Sequence, residues 1–558
     1  MNRQPDMHAT FEHVPADEEH NFYPSPADRL ERARERSDVG AGSTVCVIGG
    51  GIAGLVAAFE LQKAGLRVHI LEHADRLGGR IWTHAWGSGG LFSELGAMRI
   101  PESHEIVNHY VRLMGLGLVD FGDPGLNSHI FFRGRLVRRR NVERLKAATV
   151  TPRGRPATSN PFDIRDEIAD QFEGQLRSTW RRSAFGLEGL PAFASHDALA
   201  AAENGSVWSL ATGPLWQNLD SGNPSIWSAR PRVTVKSEEW EALGKITGDV
   251  WFDKMSVLQW LVDGPRSLLG GMNTIAGGMS GLTASLVQKL RSGGRTQIDV
   301  GSTVTAMRVG RKVAVRWRKG DGALAGKRFD HVVCAVPAAA TAAIDFQPPL
   351  EPGHLDALAN LTYMRMAKAA ILCSSRPWEP RILGGVTRTD LPIGQIWYPS
   401  DHLRVRGQGA GSYVSERTHD GRIAPLAGGA APSSARPTDP GALLIYMWGM
   451  NAQRFGALTA ADQILLLRDN LEKVHRGIGR TFQDQDVVVA PWNGADCGGG
   501  AFAYFTPGEQ RRYQPFLKLW HPMDTPRVFF AGEHLLPQHG WIAPAIETAV
   551  TAVLNVLR

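Results

Sequence analysis

The chain has 558 residues and a mass of 60.8 kDa, too long for one ordinary domain, and its 43% hydrophobic and 21% charged composition excludes a disordered or fibrous protein. Its four cysteines (Cys46, Cys334, Cys373, Cys497) are scattered, which excludes a disulfide-dense scaffold and a Cys-rich zinc or iron–sulfur site; no metal is expected. The net charge of +6 is too small an excess over this length to point to nucleic acid, and the basic runs at Arg29 to Arg36 and Arg138 to Arg140 read as solvated faces. There is no apolar run of about 18 residues to span a membrane, and the first residues lack the apolar core of a signal peptide; a soluble, cytoplasmic protein is expected.

Residues 1–42 are polar and read as a lead-in arm with a short helix around Asp28 to Ser37. Ser43 to Ile48 is a β-branched apolar run, the pattern of a buried parallel strand. It enters Gly49-Gly50-Gly51-Ile52-Ala53-Gly54, then a helical stretch to Gly65, then a second strand, Arg67 to Leu71, closed by Glu72. In this βαβ unit Gly49 permits the tight turn, Gly51 lets the backbone approach a pyrophosphate, and Gly54 lets the helix pack on the sheet. The helix amino terminus offers free N–H groups to phosphates. Glu72, 18 residues after Gly54, is placed for a ribose diol, which favours FAD or NAD over NADP. The Gly78-Gly79-Arg80 that follows suits a second pass along a diphosphate, a feature resembling the extended fingerprint of the flavin amine-oxidase superfamily.

Residues 141–269 are polar and Trp-containing, with helices expected at Ile164 to Ser178, Ala194 to Glu203 and Glu238 to Ile246. From Gly270 the pattern returns to β/α: a helix at Leu282 to Leu290, strands at Val304 to Val309 and Lys312 to Trp317, and a buried strand within Phe329 to Pro337. The stretch 345–490 reads as β-rich, interrupted by a Gly/Ala/Ser/Pro segment at 407–441. Near the end, Arg527 to Glu533 is a strand followed by Ala-Gly-Glu, and His539-Gly540-Trp541-Ile542 leads into a helix from Pro544 onward. A helix amino terminus there can face the electron-rich edge of a flavin or its ribityl–phosphate chain, and Glu533 suits a ribityl hydroxyl.

Taken with ELGAMRIPESHEIVNHYVRLMGL, GGMN, DHVVCAVP, RMAKAAIL, TDLPIGQIWYPS, LIYMWGMNAQR and FFAGEHLLPQHGWIAPAIETAV, these motifs make the chain resemble the L-amino-acid oxidases of the flavin monoamine oxidase superfamily over roughly residues 40–140 and 270–558. The resemblance implies an α/β and α+β architecture: a Rossmann-like FAD-binding domain of the GR2 type (43–83, 270–345 and 520–558), a mixed-sheet substrate domain (84–140 and 346–519) and an inserted helical subdomain (141–269). It implies non-covalent FAD, since no cysteine lies in a flavin-linking motif, with contacts at Gly49, Gly51, Ile52, Ala53, Gly54, Glu72, Arg80, Gly96, Ala97, Met98, Val304, Gly532, Glu533, Trp541 and Ile542. The implied reaction removes the α-hydrogen of an amino acid to flavin; the imine hydrolyses to a 2-oxo acid and ammonia, and O₂ becomes H₂O₂.

Such a site needs a cation for the carboxylate, acceptors for the amine and dry walls. Arg99 is the expected carboxylate clamp, because its planar fork matches a carboxylate bidentately; a structural salt bridge is the alternative. The resemblance gives Tyr446 a second hydrogen bond to that carboxylate, though a lone tyrosine in an apolar strand also reads as core. It gives the Gly540 carbonyl to the amine, and Phe502 and Trp541 to the walls, with Trp448 a further pocket residue. Lys368 is costly in its apolar strand unless hydrogen-bonded, and corresponds to a family lysine that holds a water and assists reoxidation. Asp496 could reach a basic side chain, or be a surface acid. Some family members have a histidine where Met255 to Gly270 has none, so no general base is assigned, and nothing is inferred from Asn273. A large aromatic, apolar or basic substrate and a homodimer or larger assembly are expected. An amino-acid 2-monooxygenase, an amine or polyamine oxidase and a non-catalytic flavin-binding protein stay open.

Overall fold

The structure, a computed structural model, describes residues 26–36, 39, 42–87, 90–121, 128–145, 162, 165, 203–212, 235–247, 249–263, 271–379, 381–382, 384–399, 416–417, 423–424, 437–494, 498–518, 520–522 and 524–558. The expected helices at Ile164 to Ser178 and Ala194 to Glu203, most of the 407–441 segment and Asp496 lie outside the described residues, apart from isolated positions.

The expected βαβ unit is present: strand Thr44–Ile48, helix Ile52–Lys63, strand Arg67–Leu71. These strands lie in a six-stranded sheet of order Thr296–Asp299, Arg67–Leu71, Thr44–Ile48, His331–Cys334, Val528–Phe530, Trp520–His521, parallel except for the last strand. The first strand shows why an unbroken apolar run is needed at such a place. Val45 and Val47 join a core on one face with the helices Ile52–Lys63, Ser280–Gly293 and Ile542–Leu557. Cys46 and Ile48 join a core on the other face, with the strands Ser302–Arg308, Val313–Lys319 and Leu324–Phe329. Both faces are covered, so neither can be polar. Strand order reverses beside Thr44–Ile48, the point at which open α/β sheets bind ligands. The lead-in helix Pro26–Arg36 is tied to this body: Leu30 is buried in its core and Arg34 pairs with Glu60, which also accepts from the Tyr110 hydroxyl at 3.0 Å.

A second, seven-stranded sheet runs Val487–Trp492, Met366–Cys373, Gly441–Trp448, Gln395–Trp397, Val386–Thr389, His129–Phe132, Arg135–Arg138, antiparallel but for the Val386–Thr389/His129–Phe132 pair. Its central strands alternate strictly. Ala367, Ala369, Ile371, Leu443, Ile445 and Met447 face one core. Met366, Ala370 and Leu444 face the other, which also holds Val207, Leu210, Trp240, Leu243 and Leu258 from the helices Val207–Thr212, Ser237–Thr247 and Val257–Asp263. The period of two therefore puts Lys368, Tyr446 and Trp448 on the face that the helical segment covers.

The structure differs from the expected elements in three places. The strand within Phe329 to Pro337 is His331–Cys334, because Phe329 ends the preceding strand Leu324–Phe329. That preceding strand is largely exposed, so no apolar pattern announces it. The β-rich reading of 345–490 also overlooks the helices Pro352–Asn360, Gly449–Gly456 and Ala460–Val474.

Candidate active site

The glycine turn is built as its chemistry requires. Gly49 has φ +100°, and a Cβ there would stand 2.8 Å from the Ala335 carbonyl oxygen. At Gly54 a Cβ would sit 1.9 Å from the backbone oxygen of Gly49, so the helix can start this close to the strand only without a side chain. Gly51 is different: its Cβ position meets nothing nearer than the Gly79 Cα at 3.8 Å. The second glycine pair docks on the first turn, the Gly78 N–H donating to the Gly50 carbonyl at 2.8 Å. Glu72 closes the arrangement, accepting from the N–H groups of Gly50 (2.5 Å) and Ala74 (2.8 Å). A carboxylate has about four acceptor positions, so two remain for a diol. The N–H of Ser302 donates to the Glu72 carbonyl, which brings the start of the Val304 strand alongside.

The two ends of the chain meet at Arg80. Its guanidinium donates to Glu533 at 2.6 Å and to the Ala501 carbonyl at 3.0 Å. Burial acts to raise the Glu533 carboxyl pKa, but Arg80 together with the nearby His539 and His534 holds it below its ordinary value. Glu533 also accepts longer bonds from the N–H groups of Ala503 and Gly540. Arg80 and Glu533, both expected at a flavin, thus form one ion pair, half-buried on the arginine side and buried on the glutamate side, joining the amino-terminal fingerprint to the final helix.

Arg99 follows the turn Leu95-Gly96-Ala97-Met98. Backbone N–H groups of Leu95 and Gly96 donate to Trp82, and that of Ala97 to Arg80. The Trp492 indole also donates to the Leu95 carbonyl at 2.6 Å. A Cβ at Gly96 would lie 2.2 Å from the Arg80 carbonyl oxygen, so the turn is seated directly on the second fingerprint. The Arg99 guanidinium is half-buried, 6.0 Å from the centre of the Trp541 ring. Burial lowers its pKa and Tyr446 acts to raise it; no carboxylate among the described residues pairs with it. Burial likewise raises the Tyr446 phenol, opposed by Arg99, so its hydroxyl stays a donor, with only the Met366 sulfur in reach, at 3.7 Å, among the described residues.

Lys368 is 2% exposed and directly opposite Tyr446 across the sheet, its ammonium 4.4 Å from the phenol ring centre. Nζ donates to the carbonyls of Glu94 (3.0 Å) and Gly96 (2.6 Å) and lies 3.3 Å from the Met98 sulfur. These contacts engage all three ammonium protons, the sulfur being the weakest acceptor. Burial pulls the lysine down to about 7 against the attraction of Glu94. Glu94, 8% exposed, is pushed up to about 7 by burial, although the Met279 N–H (2.7 Å) and Thr83 hydroxyl (2.8 Å) donate to it. Sequence reasoning missed Glu94; an acid one residue before the Leu-Gly of this turn was its only signal.

The aromatic residues converge. Trp448 lies 4.8 Å from Tyr446, 5.7 Å from Phe252 and 6.1 Å from Phe502, ring centre to ring centre. Phe502 in turn abuts Gly540, whose φ of +77° favours glycine and whose Cβ position lies 3.2 Å from the Phe502 ring. Trp541 caps the helix Ile542–Leu557, with His104 edge-on at 5.3 Å. His104 and Phe252 are further neighbours that no local pattern indicated.

The L-amino-acid oxidase of Vipera ammodytes ammodytes is 25% identical over 529 residues, 92% of this chain and 92% of its own. The L-amino-acid oxidase of Bothrops pauloensis is 25% identical over 522 residues, 92% of this chain and 89% of its own. In fold, the cyclohexylamine oxidase of Brevibacterium oxydans superposes with a TM-score of 0.60 at 18% identity, covering 92% of this chain and 98% of that one. A putrescine oxidase triple mutant gives 0.59 at 16% identity, covering 92% and 99%. A family model for flavin-containing amine oxidoreductases matches residues 52–557, and the chain belongs to that family of flavoprotein oxidoreductases.

Proposed function

We propose that the protein is an FAD-dependent L-amino-acid oxidase, converting an amino acid, water and O₂ to a 2-oxo acid, ammonia and H₂O₂. The observation that carries this reading is Arg99, a half-buried guanidinium beside Trp541 and Tyr446 with no carboxylate partner among the described residues. A cation kept out of water without an anion is costly, and a substrate carboxylate supplies the missing partner. The names of the Vipera and Bothrops relatives agree with it.

The residues fit FAD rather than a mononucleotide flavin: Gly49, Gly51 and Gly54 form a diphosphate turn, and Glu72 keeps acceptor capacity for the adenosine ribose. When bound, the flavin accepts the α-hydrogen and returns the electrons to O₂. The chain's own work is placement. Arg99 and the Tyr446 hydroxyl hold the carboxylate, the Gly540 carbonyl accepts from the amine, and Phe502, Trp448 and Trp541 exclude water.

Anaerobic mixing with a panel of L-amino acids is expected to bleach the flavin, and aerobic turnover to yield equal 2-oxo acid and H₂O₂. Amide in place of 2-oxo acid would identify a monooxygenase; bleaching by simple amines alone would discard the amino-acid reading. The cofactor turn has its own test. Gly54→Ala places a methyl group against backbone, which cannot yield as a side chain does, so destabilisation by roughly 1–3 kcal/mol is expected. The purified variant should carry several-fold less flavin, read from its 450 nm absorbance against protein. Full occupancy would show the turn to be looser than its geometry.

A further inference from the structure

The indole N–H of Trp448 is shielded from solvent and meets no acceptor among the described residues. Buried donors in folded proteins are nearly always paired, so a solitary one on the wall of a substrate site calls for a ligand atom. The rings around Trp448 define what that ligand must be. Phe252 and Phe502 stand edge-on to it at 72° and 73°, and Tyr446 is tilted at 41°. Through Phe502 this wall continues to Gly540, and through Tyr446 to Lys368 and Arg99. Surfaces of this kind favour another flat ring, packed offset or edge-on.

We infer that Trp448 determines specificity, its indole N–H donating to a neutral oxygen carried on the ring of an aromatic amino acid, so that a phenol side chain is preferred over phenyl. The inference rests on the amino-acid reading of the site and deepens it. A side-chain carboxylate does not fit, because one N–H cannot offset burying its charge. A carboxamide brings two N–H donors that would both need acceptors among these rings. A ring hydroxyl brings one rotatable proton and an oxygen able to accept the indole N–H. A site with a buried donor discriminates against a ligand that leaves the donor unmet, more sharply than an apolar pocket discriminates by size.

The test uses the flavin-loaded enzyme and two non-reacting carboxylates, 4-hydroxyphenylacetate and phenylacetate, with affinities read from the perturbed flavin spectrum. In parallel, kcat/KM is compared for L-tyrosine and L-phenylalanine. The unaltered enzyme should prefer the hydroxylated member of each pair by about tenfold or more, one paired buried hydrogen bond's worth of discrimination. Trp448→Phe keeps a ring and removes the N–H, and should bring both ratios to within about twofold of unity. Equal binding of the two carboxylates by the unaltered enzyme overturns the inference and leaves the amino-acid reading standing. So does a preference that survives intact in flavin-loaded Trp448→Phe. If neither carboxylate perturbs the flavin and no amino acid bleaches it, both readings fall. Should Trp448→Phe not fold, the ratios of the unaltered enzyme decide alone.

Discussion

Replacing Arg99 with methionine is expected to lower kcat/KM for L-amino acids by about 10²- to 10³-fold, with flavin content unchanged. Removing one partner of a desolvated, hydrogen-bonded charge pair costs roughly 2–5 kcal/mol, and each 1.4 kcal/mol is tenfold. Arg99 lies outside the glycine turn and pairs with no acidic residue among those described, so its removal strands no buried carboxylate. Methionine has a similar reach and keeps apolar contact with Trp541, which limits the change to the charge and the fork. The loss should appear in both KM and kcat, because a clamp of the kind proposed for Arg99 both binds a substrate and aims its Cα–H. Carboxylate inhibitors should weaken in parallel, and Arg99→Lys should recover only part of the activity, since a point charge cannot hold both oxygens. If Arg99→Met keeps its activity on amino acids within a few-fold, the carboxylate is held elsewhere and the substrate class must be reassigned.

The parts of this site that could be read from sequence are those whose constraints are local. Gly49, Gly51, Gly54 and Glu72 act within one βαβ unit, and the structure gives Gly49 and Gly54 the steric reasons expected of them, while the Cβ position of Gly51 meets nothing closer than an ordinary contact. The face shared by Lys368, Tyr446 and Trp448 was half legible: the period of two fixes which residues of a strand go together, but not which strands are neighbours. The acceptors of Lys368 were not legible, because the carbonyls of Glu94 and Gly96 arrive from a turn far away in the chain, and a carbonyl leaves no signature in residue type. The helix Ala460–Val474 did carry a signal. Thr459 caps it, accepting from the Asp462 N–H at 3.2 Å, and a threonine with an acid three residues on is a start mark. Strand Leu324–Phe329 carried none, being exposed along most of its length and fixed by pairing with Val313–Lys319 alone.

Lys368 should matter most in the half of turnover that consumes O₂. Lys368→Met is expected to lower kcat/KM for O₂ by about 10²-fold, the usual worth of a positioned proton-bearing group, while anaerobic bleaching by amino acid changes only a few-fold. Its pH dependence follows from its surroundings. The charged groups that act on it are Glu94, which favours the ammonium, and Arg99, which opposes it; burial opposes it most. Lys368 and Glu94 titrate as a pair, so the limb near pH 7 belongs to both. The lysine's folded pKa of about 7 lies below its unfolded value of about 10.4, so the unfolded chain binds more protons between these limits and stability rises with pH there. For Glu94 the folded value of about 7 lies above the unfolded value of about 4.3, so stability falls as pH rises through that lower window. Glu94→Gln removes the group that favours the ammonium; its single amide oxygen still accepts from the Met279 N–H, while its NH₂ faces the Thr83 hydroxyl, which can turn to accept from it. The lysine should then lose its proton at a pH about one to two units lower, carrying the O₂-linked limb with it, and the lower-window fall in thermal stability should vanish. A limb that stays in place in Glu94→Gln would assign the titration to another group, and equal losses in both halves of turnover in Lys368→Met would make the lysine a structural strut.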